Sequence, residues 1–392
     1  MHHSDNGNSG PRDAVIVAGW RTPFGKRGGQ FSAWHPVEML SFTLKALIDR
    51  TGIDAAEVED VIGGCVGQVG EQALNVTRNA WLDAGLPEST PATTVDRQCG
   101  SGLQAIQFAA QGVMAGSYDL VVACGVENMS RVPLGSQVTP DHSPMTRAVR
   151  ERYNVEHFNQ AIGAEMMARK WGLSRAALDE FSARSHERAA QATAKGWLAE
   201  EIVPVPMNGA SVDTDQGIRP DTSVEKLATL KPAFEGLELL TAGNSSQISD
   251  GAGAVLIASR QKADELGLTP RARFVQFSQV GSDPVMMLTG PIPATRKVLQ
   301  RAGLSTQDID VFEVNEAFAP VCLAWQEELG VGIDRLNVNG GAIALGHPLG
   351  ASGVRLVLTA MNELERRDGR YGLTTLCEGG GMANAAIIER LG

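Results

Sequence analysis

Four residues of this chain have types and neighbours suited to moving protons and acyl groups. Cys99 lies between a predicted strand, Thr93 to Cys99, and a Gly-Ser-Gly step that opens a predicted helix. A helix N-terminus offers unpaired amides and the positive end of the dipole, which lowers a thiol's pKa and holds a thiolate ready. His347 stands in Asn337-Val-Asn-Gly-Gly-Ala-Ile-Ala-Leu-Gly-His-Pro-Leu-Gly-Ala-Ser-Gly353. Glycine at that density lets backbone pass close to a bulky group, and Pro348 restricts the loop. A histidine so presented is either a candidate general base or a surface residue on a tight turn. Cys377 precedes Glu378-Gly-Gly-Gly381, where bare amides beside a thiol suit an oxyanion hole. Asn315 ends a predicted strand and either caps the next helix or orients a water; Glu316 beside it is a candidate for an internal ion pair. Cys65, Cys124 and Cys322 lack such context and read as small buried residues.

The elements that must hold these residues alternate. Strands are predicted at Val15–Ala18, Val58–Cys65, Thr93–Cys99 and Asp119–Gly125. Helices are predicted over Val37–Ile53 and Asn75–Ala84 and from Gly100 onward, an order that argues for a layered α/β fold. Residues 126–244 are richer in charge and turns and read as an inserted subdomain. Its clearest helix runs from Arg175 to Lys195, with Ser174 and Gly196 as caps. Strand texture resumes at Gly251–Ala258. Val354–Met361 reads as a buried helix whose first amides face an anion or a carbonyl oxygen.

The second half repeats the first. Gly52 matches Gly303, an offset of 303 − 52 = 251, and Ser101 matches Ser352 at 352 − 101 = 251. The segment holding Cys124 resembles that holding Cys377, at 377 − 124 = 253. Two copies of one α/β unit, packed face to face about a pseudo-two-fold, would make the Cys99 and His347 turns counterparts that converge on one site.

Composition narrows the function classes. The 392 residues suggest two or three domains, and 43% hydrophobic with 20% charged residues describe a soluble globular chain. A net charge of −11 argues against nucleic acid or anionic membrane as a partner. The apolar runs are too short to span a bilayer. Residues 1–12 lack a signal peptide's apolar core and read as a disordered start. Five widely spaced cysteines fit neither a disulfide framework nor a metal site, which points to a reducing cytoplasm.

Taken together, Cys99-Gly-Ser-Gly, Asn315-Glu-Ala-Phe, Asn339-Gly-Gly-Ala-Ile-Ala-Leu-Gly-His347-Pro and Cys377-Glu-Gly-Gly-Gly resemble the signature blocks of the thiolases. Arg21-Thr-Pro-Phe-Gly and Thr241-Ala-Gly-Asn-Ser-Ser-Gln-Ile-Ser-Asp-Gly251 resemble two further blocks, and the order holds from about residue 13 to the end. The resemblance implies an α-β-α-β-α layered fold of two halves. One comprises residues 13–125 and 245–272 and the other 273–392, with an inserted loop domain at 126–244. It implies an acyltransferase, either a 3-ketoacyl-CoA thiolase of fatty-acid β-oxidation or an acetyl-CoA C-acetyltransferase. In that chemistry Cys99 carries the acyl group after deprotonation by His347, and Cys377 is the second acid and base. One oxyanion is met by His347 with a water on Asn315, the other by the amides of Cys99 and Gly379. Ser246 would contact the pantetheine arm, and Arg219, Lys226 and Lys231 are candidates for the CoA phosphates. No bound cofactor or metal is implied; CoA and acyl-CoA are substrates. A homo-oligomer, dimer or tetramer, is expected.

Two segments depart from the pattern. Asp96 stands where many members have Asn. Asn159-Gln-Ala-Ile-Gly-Ala-Glu165 replaces a His-Met-Gly segment whose methionine closes the acyl pocket of acetoacetyl-specific members. A longer, branched or ring-bearing 3-ketoacyl chain is therefore expected, with an acetoacetyl-specific enzyme as the alternative. A ketosynthase would pair one cysteine with two histidines, or with histidine and asparagine. A non-catalytic acyl-CoA or lipid carrier would not need Cys99, His347 and Cys377 all intact.

Overall fold

The computed structural model describes residues 10–139, 143–207 and 209–392. Among these residues twelve strands form: β1 (Ala14–Arg21), β2 (Gly25–Lys26), β3 (Asp60–Gly64), β4 (Ala92–Val95), β5 (Leu120–Asn128), β6 (Val205–Met207), β7 (Ala210–Val212), β8 (Ser249–Ser259), β9 (Ala272–Gly281), β10 (Val311–Val314), β11 (Tyr371–Glu378) and β12 (Met382–Arg390). The main path runs β10-β11-β12-β9-β1-β8-β5-β3-β4, with β2 on β8, while β6 and β7 pair separately. The path is joined at its middle by two residue pairs only, Val15 with Arg273 and Ile16 with Ala272.

Strand residues alternate between faces, so each half-sheet serves two cores. Val122, Cys124 and Val126 of β5 pack outward with the helices Pro36–Thr51 and Val76–Asp83. Cys377, Ala383 and Ala385 pack outward on the other side with the helices Pro291–Ala302 and Ala319–Leu329. Val121, Val255, Leu376 and Ile388 face a shared middle layer filled by the helices Ser101–Ala115 and Leu349–Arg367. The result is the expected α-β-α-β-α stack.

Register shows the duplication in detail. Val61 pairs with Val122 in one half and Phe312 with Leu373 in the other, where 312 − 61 and 373 − 122 are both 251. Even a bulge is copied. Pairing skips Val17 between Ile16 and Ala18 on β1, and skips Val275 between Phe274 and Gln276 on β9. One expectation is corrected. Cys124 pairs with Ala254 and Val126 with Ala252, while Thr375 pairs with Ala385 and Cys377 with Ala383. The counterpart of Cys124 is therefore Thr375 and that of Cys377 is Val126. Matching thiol to thiol slipped the sequence comparison by two residues, a shift that keeps the strand's face and so leaves the hydrophobic pattern intact.

The inserted segment lies over both halves. Its helices Gln160–Lys170 and Arg175–Ala194 contribute Ala164, Met167, Leu178 and Phe181 to the outer core of the second half. Val205 and Val212 of its hairpin join the outer core of the first. Arg21 fastens it: fully buried at the end of β1, it donates to Glu201 at 2.8 Å and to both oxygens of Asp215 at 2.6 and 2.8 Å. Glu201 also accepts the Thr359 hydroxyl from the middle layer at 2.9 Å. The expected disordered start is shorter than twelve residues, since Arg12 pairs with Asp119 at 2.6 Å; residues 1–9 lie outside the described ones. Among the described residues no helix is long and apolar enough to cross a membrane.

The two central helices meet backbone to backbone. A Cβ on Gly125 or Gly102 would collide with the Gly350 carbonyl, and one on Gly353 with the Leu103 amide. Gly353→Ala should therefore cost about 3 kcal/mol or more, because the colliding group is the backbone of the other helix and cannot turn aside. Thermal or urea denaturation checks this, and a Tm unchanged within error would contradict the close crossing.

Candidate active site

The nucleophile turn is tighter than the sequence suggested. Strand β4 stops at Val95, and Asp96 Oδ1 accepts the Gln98 amide at 2.6 Å, an Asx turn that accounts for an acid at this position. Gln98 takes φ = 49°, so the chain turns sharply into Cys99. The Ser101 hydroxyl accepts from the Arg97 amide at 2.8 Å and donates to the Gln98 carbonyl at 2.6 Å, which closes the turn.

Cys99 is buried among Val66, Met129 and Leu349. Burial pushes its thiol up to about 12, with the charge of Glu378 acting the same way. The amides of Cys99 and Gly379 and the Gln160 side chain oppose this by favouring the thiolate. The expectation of a thiolate held ready at rest is thus overturned: desolvation outweighs the helix terminus, and the resting group is a thiol.

His347 follows a single helical turn, Ala342–Leu345, that stands where a loop was expected. Its amide donates to Ser249 Oγ at 3.0 Å. Its Nδ1 lies 2.6 Å from Ser352 Oγ, and that hydroxyl sits 2.8 Å from the Pro348 carbonyl. A carbonyl only accepts, so the single Ser352 proton goes there and Nδ1 must donate to Ser352. The network assigns the proton to Nδ1 and leaves Nε2 bare. Asn315 Nδ2 faces that nitrogen at 3.2 Å. Burial, reinforced by the positive charge of Arg355, lowers the ring's pKa to about 3. The imidazole is a neutral base, not a surface residue.

Asn315 is no helix cap, since the next helix begins at Ala319. Its Oδ1 is buried with no hydrogen-bond partner among the described residues. Glu316 forms no ion pair among the described residues. It accepts Ser185 Oγ at 2.6 Å, Asn337 Nδ2 at 3.0 Å and the Ile343 amide at 3.2 Å, which braces the His347 loop against the inserted helix Arg175–Ala194. The long central helix starts at Leu349, not Val354, and its Gly350 amide meets an internal anion, Glu127 Oε2, at 3.0 Å.

Cys377 is the last residue but one of β11, buried, with its thiol raised by desolvation and by the nearness of Cys99 and Glu378. Gly380 and Gly381 have φ of 80° and 76° in the hairpin to β12, while a Cβ on Gly379 would press on Gln98. The structure thus brings Cys99, Cys377 and Gly379 together and pairs His347 with Asn315. Ser246 lies on the segment that crosses Ala317, its amide donating to that carbonyl at 2.9 Å. Lys226 is committed to Asp221 Oδ2 at 2.6 Å, whereas Arg219 and Lys231 are exposed. Reasoning from sequence missed Ser352, Gln160 and Glu378. Only Glu378 had a signal, a charged residue inside a buried block.

The thiolase N-terminal domain model matches residues 14–261 and the thiolase C-terminal domain model residues 268–390. The steroid 3-ketoacyl-CoA thiolase FadA6 of Mycobacterium tuberculosis is 49% identical over 97% of this chain and 94% of its own. A 3-ketoacyl-CoA thiolase of Bacillus subtilis is 43% identical over 96% and 99%. The crystal structure of human mitochondrial 3-ketoacyl-CoA thiolase in complex with CoA superposes with a TM-score of 0.88 at 36% identity, covering 97% and 98%.

The tautomer assignment is testable. Long-range 1H–15N NMR should show His347 with a protonated Nδ1 and a bare Nε2, unchanged from pH 5 to pH 8. Ser352→Ala should bring in the other tautomer; an identical spectrum would contradict the role given to Ser352.

Proposed function

The chain belongs to the thiolase family, and on that premise we propose that it cleaves 3-ketoacyl-CoA thioesters of bulky acyl chains through an acyl-Cys99 intermediate. The observation that supports this most directly is the meeting of two buried thiols, Cys99 and Cys377, beside the Gly379 amide, with His347, two residues before Cys99's neighbour Leu349, kept neutral with Nε2 bare.

Each step follows from a group already placed. His347 Nε2 takes the Cys99 proton, and the thiolate attacks the 3-keto carbon. Proton transfer inside a dry site avoids an isolated buried charge, because the imidazolium and the new oxyanion form together. The amides of Cys99 and Gly379 serve one oxyanion; a water donating to the free Oδ1 of Asn315, and His347, serve the other. Each such donor is worth about 3 kcal/mol of barrier. As the bond between C2 and C3 breaks, Cys377 gives its proton to C2 and acetyl-CoA leaves. The Cys377 thiolate then takes the proton of a free CoA thiol, whose sulfur attacks the acyl-Cys99 carbonyl; collapse breaks the bond to Cys99, the shortened acyl-CoA leaves, and the imidazolium of His347 returns its proton to the Cys99 sulfur. Condensation is the reverse.

For the acyl chain, Gln160 rather than a methionine stands beside Cys99. A relative that is 49% identical carries a name specifying a steroid substrate. Both support a roomy, ring-accepting pocket over one restricted to four carbons. Arg219 and Lys231, exposed, remain the candidates for CoA phosphates, with Ser246 at the pantetheine arm. The proposal extends to a cytoplasmic homo-oligomer. Five free buried cysteines suit a reducing compartment, and β4 at the sheet edge offers an unpaired ladder to a second copy.

The decisive assay follows CoA-dependent loss of the 3-ketoacyl-CoA enolate absorbance with four-carbon, ten-carbon and ring-bearing substrates. Cys99→Ala should lose roughly a thousandfold or more in kcat on every substrate, as removal of a covalent nucleophile does. Wild type should show its highest kcat/KM on the bulkier chains. Activity confined to four carbons would overturn the substrate assignment, and undiminished activity in Cys99→Ala the mechanism.

A further inference from the structure

Glu378 is fully buried and neither carboxylate oxygen has a hydrogen-bond partner among the described residues. The duplication shows how unusual that is. Glu127 pairs with Gly251 on β8 and Glu378 with Met382 on β12, so the two acids occupy the same place in their halves, at 378 − 127 = 251. Glu127 is saturated: it accepts the amides of Val66, Gly67 and Gly350 and the Gln72 side chain, all between 2.8 and 3.0 Å. The position equivalent to Gly350 is residue 99, at 350 − 251. There the Cys99 amide is turned to its own sulfur, which leaves Glu378 without the donor that its counterpart enjoys.

Glu378 instead presses against Gly100, where a Cβ would overlap its Oε1, with the neutral Asn384 of β12 on the same side. The charged and titratable groups that face it are Arg97 and Asp96 of the nucleophile turn, Cys99, and Cys377 on its own strand. An anion here would stand unpaired in a dry space between two sulfurs that must each become thiolate.

We propose that Glu378 is a positioning residue, a buried carboxylic acid kept neutral during turnover, whose ionisation drives Cys99 and Cys377 toward their thiol forms. The inference rests on reading those cysteines as the reacting thiols. Desolvation supports it, since it moves the acid up to about 8, against the pull of Arg97. Glu378 gives its proton to bulk water as pH rises, and the added negative charge opposes thiolate formation in both neighbours.

The test is the pH dependence of iodoacetamide alkylation, with the labelled residue identified by mass spectrometry and no turnover required. In wild type the rate should climb tenfold per pH unit, flatten near pH 8 as Glu378 ionises, then climb again. In Glu378→Gln it should rise without the step, matching wild type at pH 6.5 and exceeding it about tenfold by pH 9.5, the effect of one unit of thiol shift. Wild type alone decides the matter if the variant does not fold: an unbroken tenfold slope overturns the proposal. Wild-type and variant profiles that are superimposable, or separated by a constant factor, overturn it too. Label on Cys377 in place of Cys99 would sink the choice of nucleophile, while its pH profile would still judge Glu378.

Discussion

Two helices crossing without side chains between them are the constraint on which the rest depends. Ser101–Ala115 and Leu349–Arg367 approach so closely that Gly102 and Gly353 admit no Cβ, and Gly125 and Gly350 are held as tightly where the second helix meets strand β5. Each helix begins at a reactive turn: Cys99 precedes one and His347 the other. Bringing the helix starts together brings nucleophile and base together, and the surrounding half-sheets hold the crossing in place. Glycine is needed here for space rather than for backbone freedom, and its entropy cost is met by the apolar middle layer that the approach permits.

The second theme is one unit used twice with unequal chemistry. Both halves share strand register and a bulge, yet only one copy supplies each reactive element. Where one half has Val126, the other has Cys377. Where one half saturates an acid with backbone amides, the other turns the equivalent amide toward sulfur. Structural saturation was given up in the copy that does chemistry, a local exception of the kind expected at functional sites.

Burial sets the electrostatics of the site. It raises both thiols and lowers the imidazole, so every group rests in its neutral form. Such a site stores no charge on its reacting groups at rest. Charge appears only as a pair, when a proton moves and an oxyanion forms within reach of fixed amides. The buried ion pairs that Arg21 makes with Glu201 and Asp215 join the inserted segment to β1.

Much of this was legible in the chain itself. Alternating strands and helices, the 251-residue repeat and the glycine-rich blocks around Cys99, His347 and Cys377 each have a local physical cause, such as periodicity, capping or backbone space, that residue type alone expresses. Capping by Ser174 is a case in point, its hydroxyl accepting the Ala177 amide. What stayed illegible depends on neighbours distant along the chain. Ser352 sets the histidine tautomer only because the fold turns it back on Pro348 and His347. Glu316 braces a loop rather than pairing with a cation because Ser185 arrives from the inserted helix. Desolvation reversed the expected thiol shift, since burial depends on how all five layers stack. The sequence by itself determined which groups were available and which local turns present them. Tertiary structure alone decided their protonation, because a pKa answers to the surroundings that packing creates.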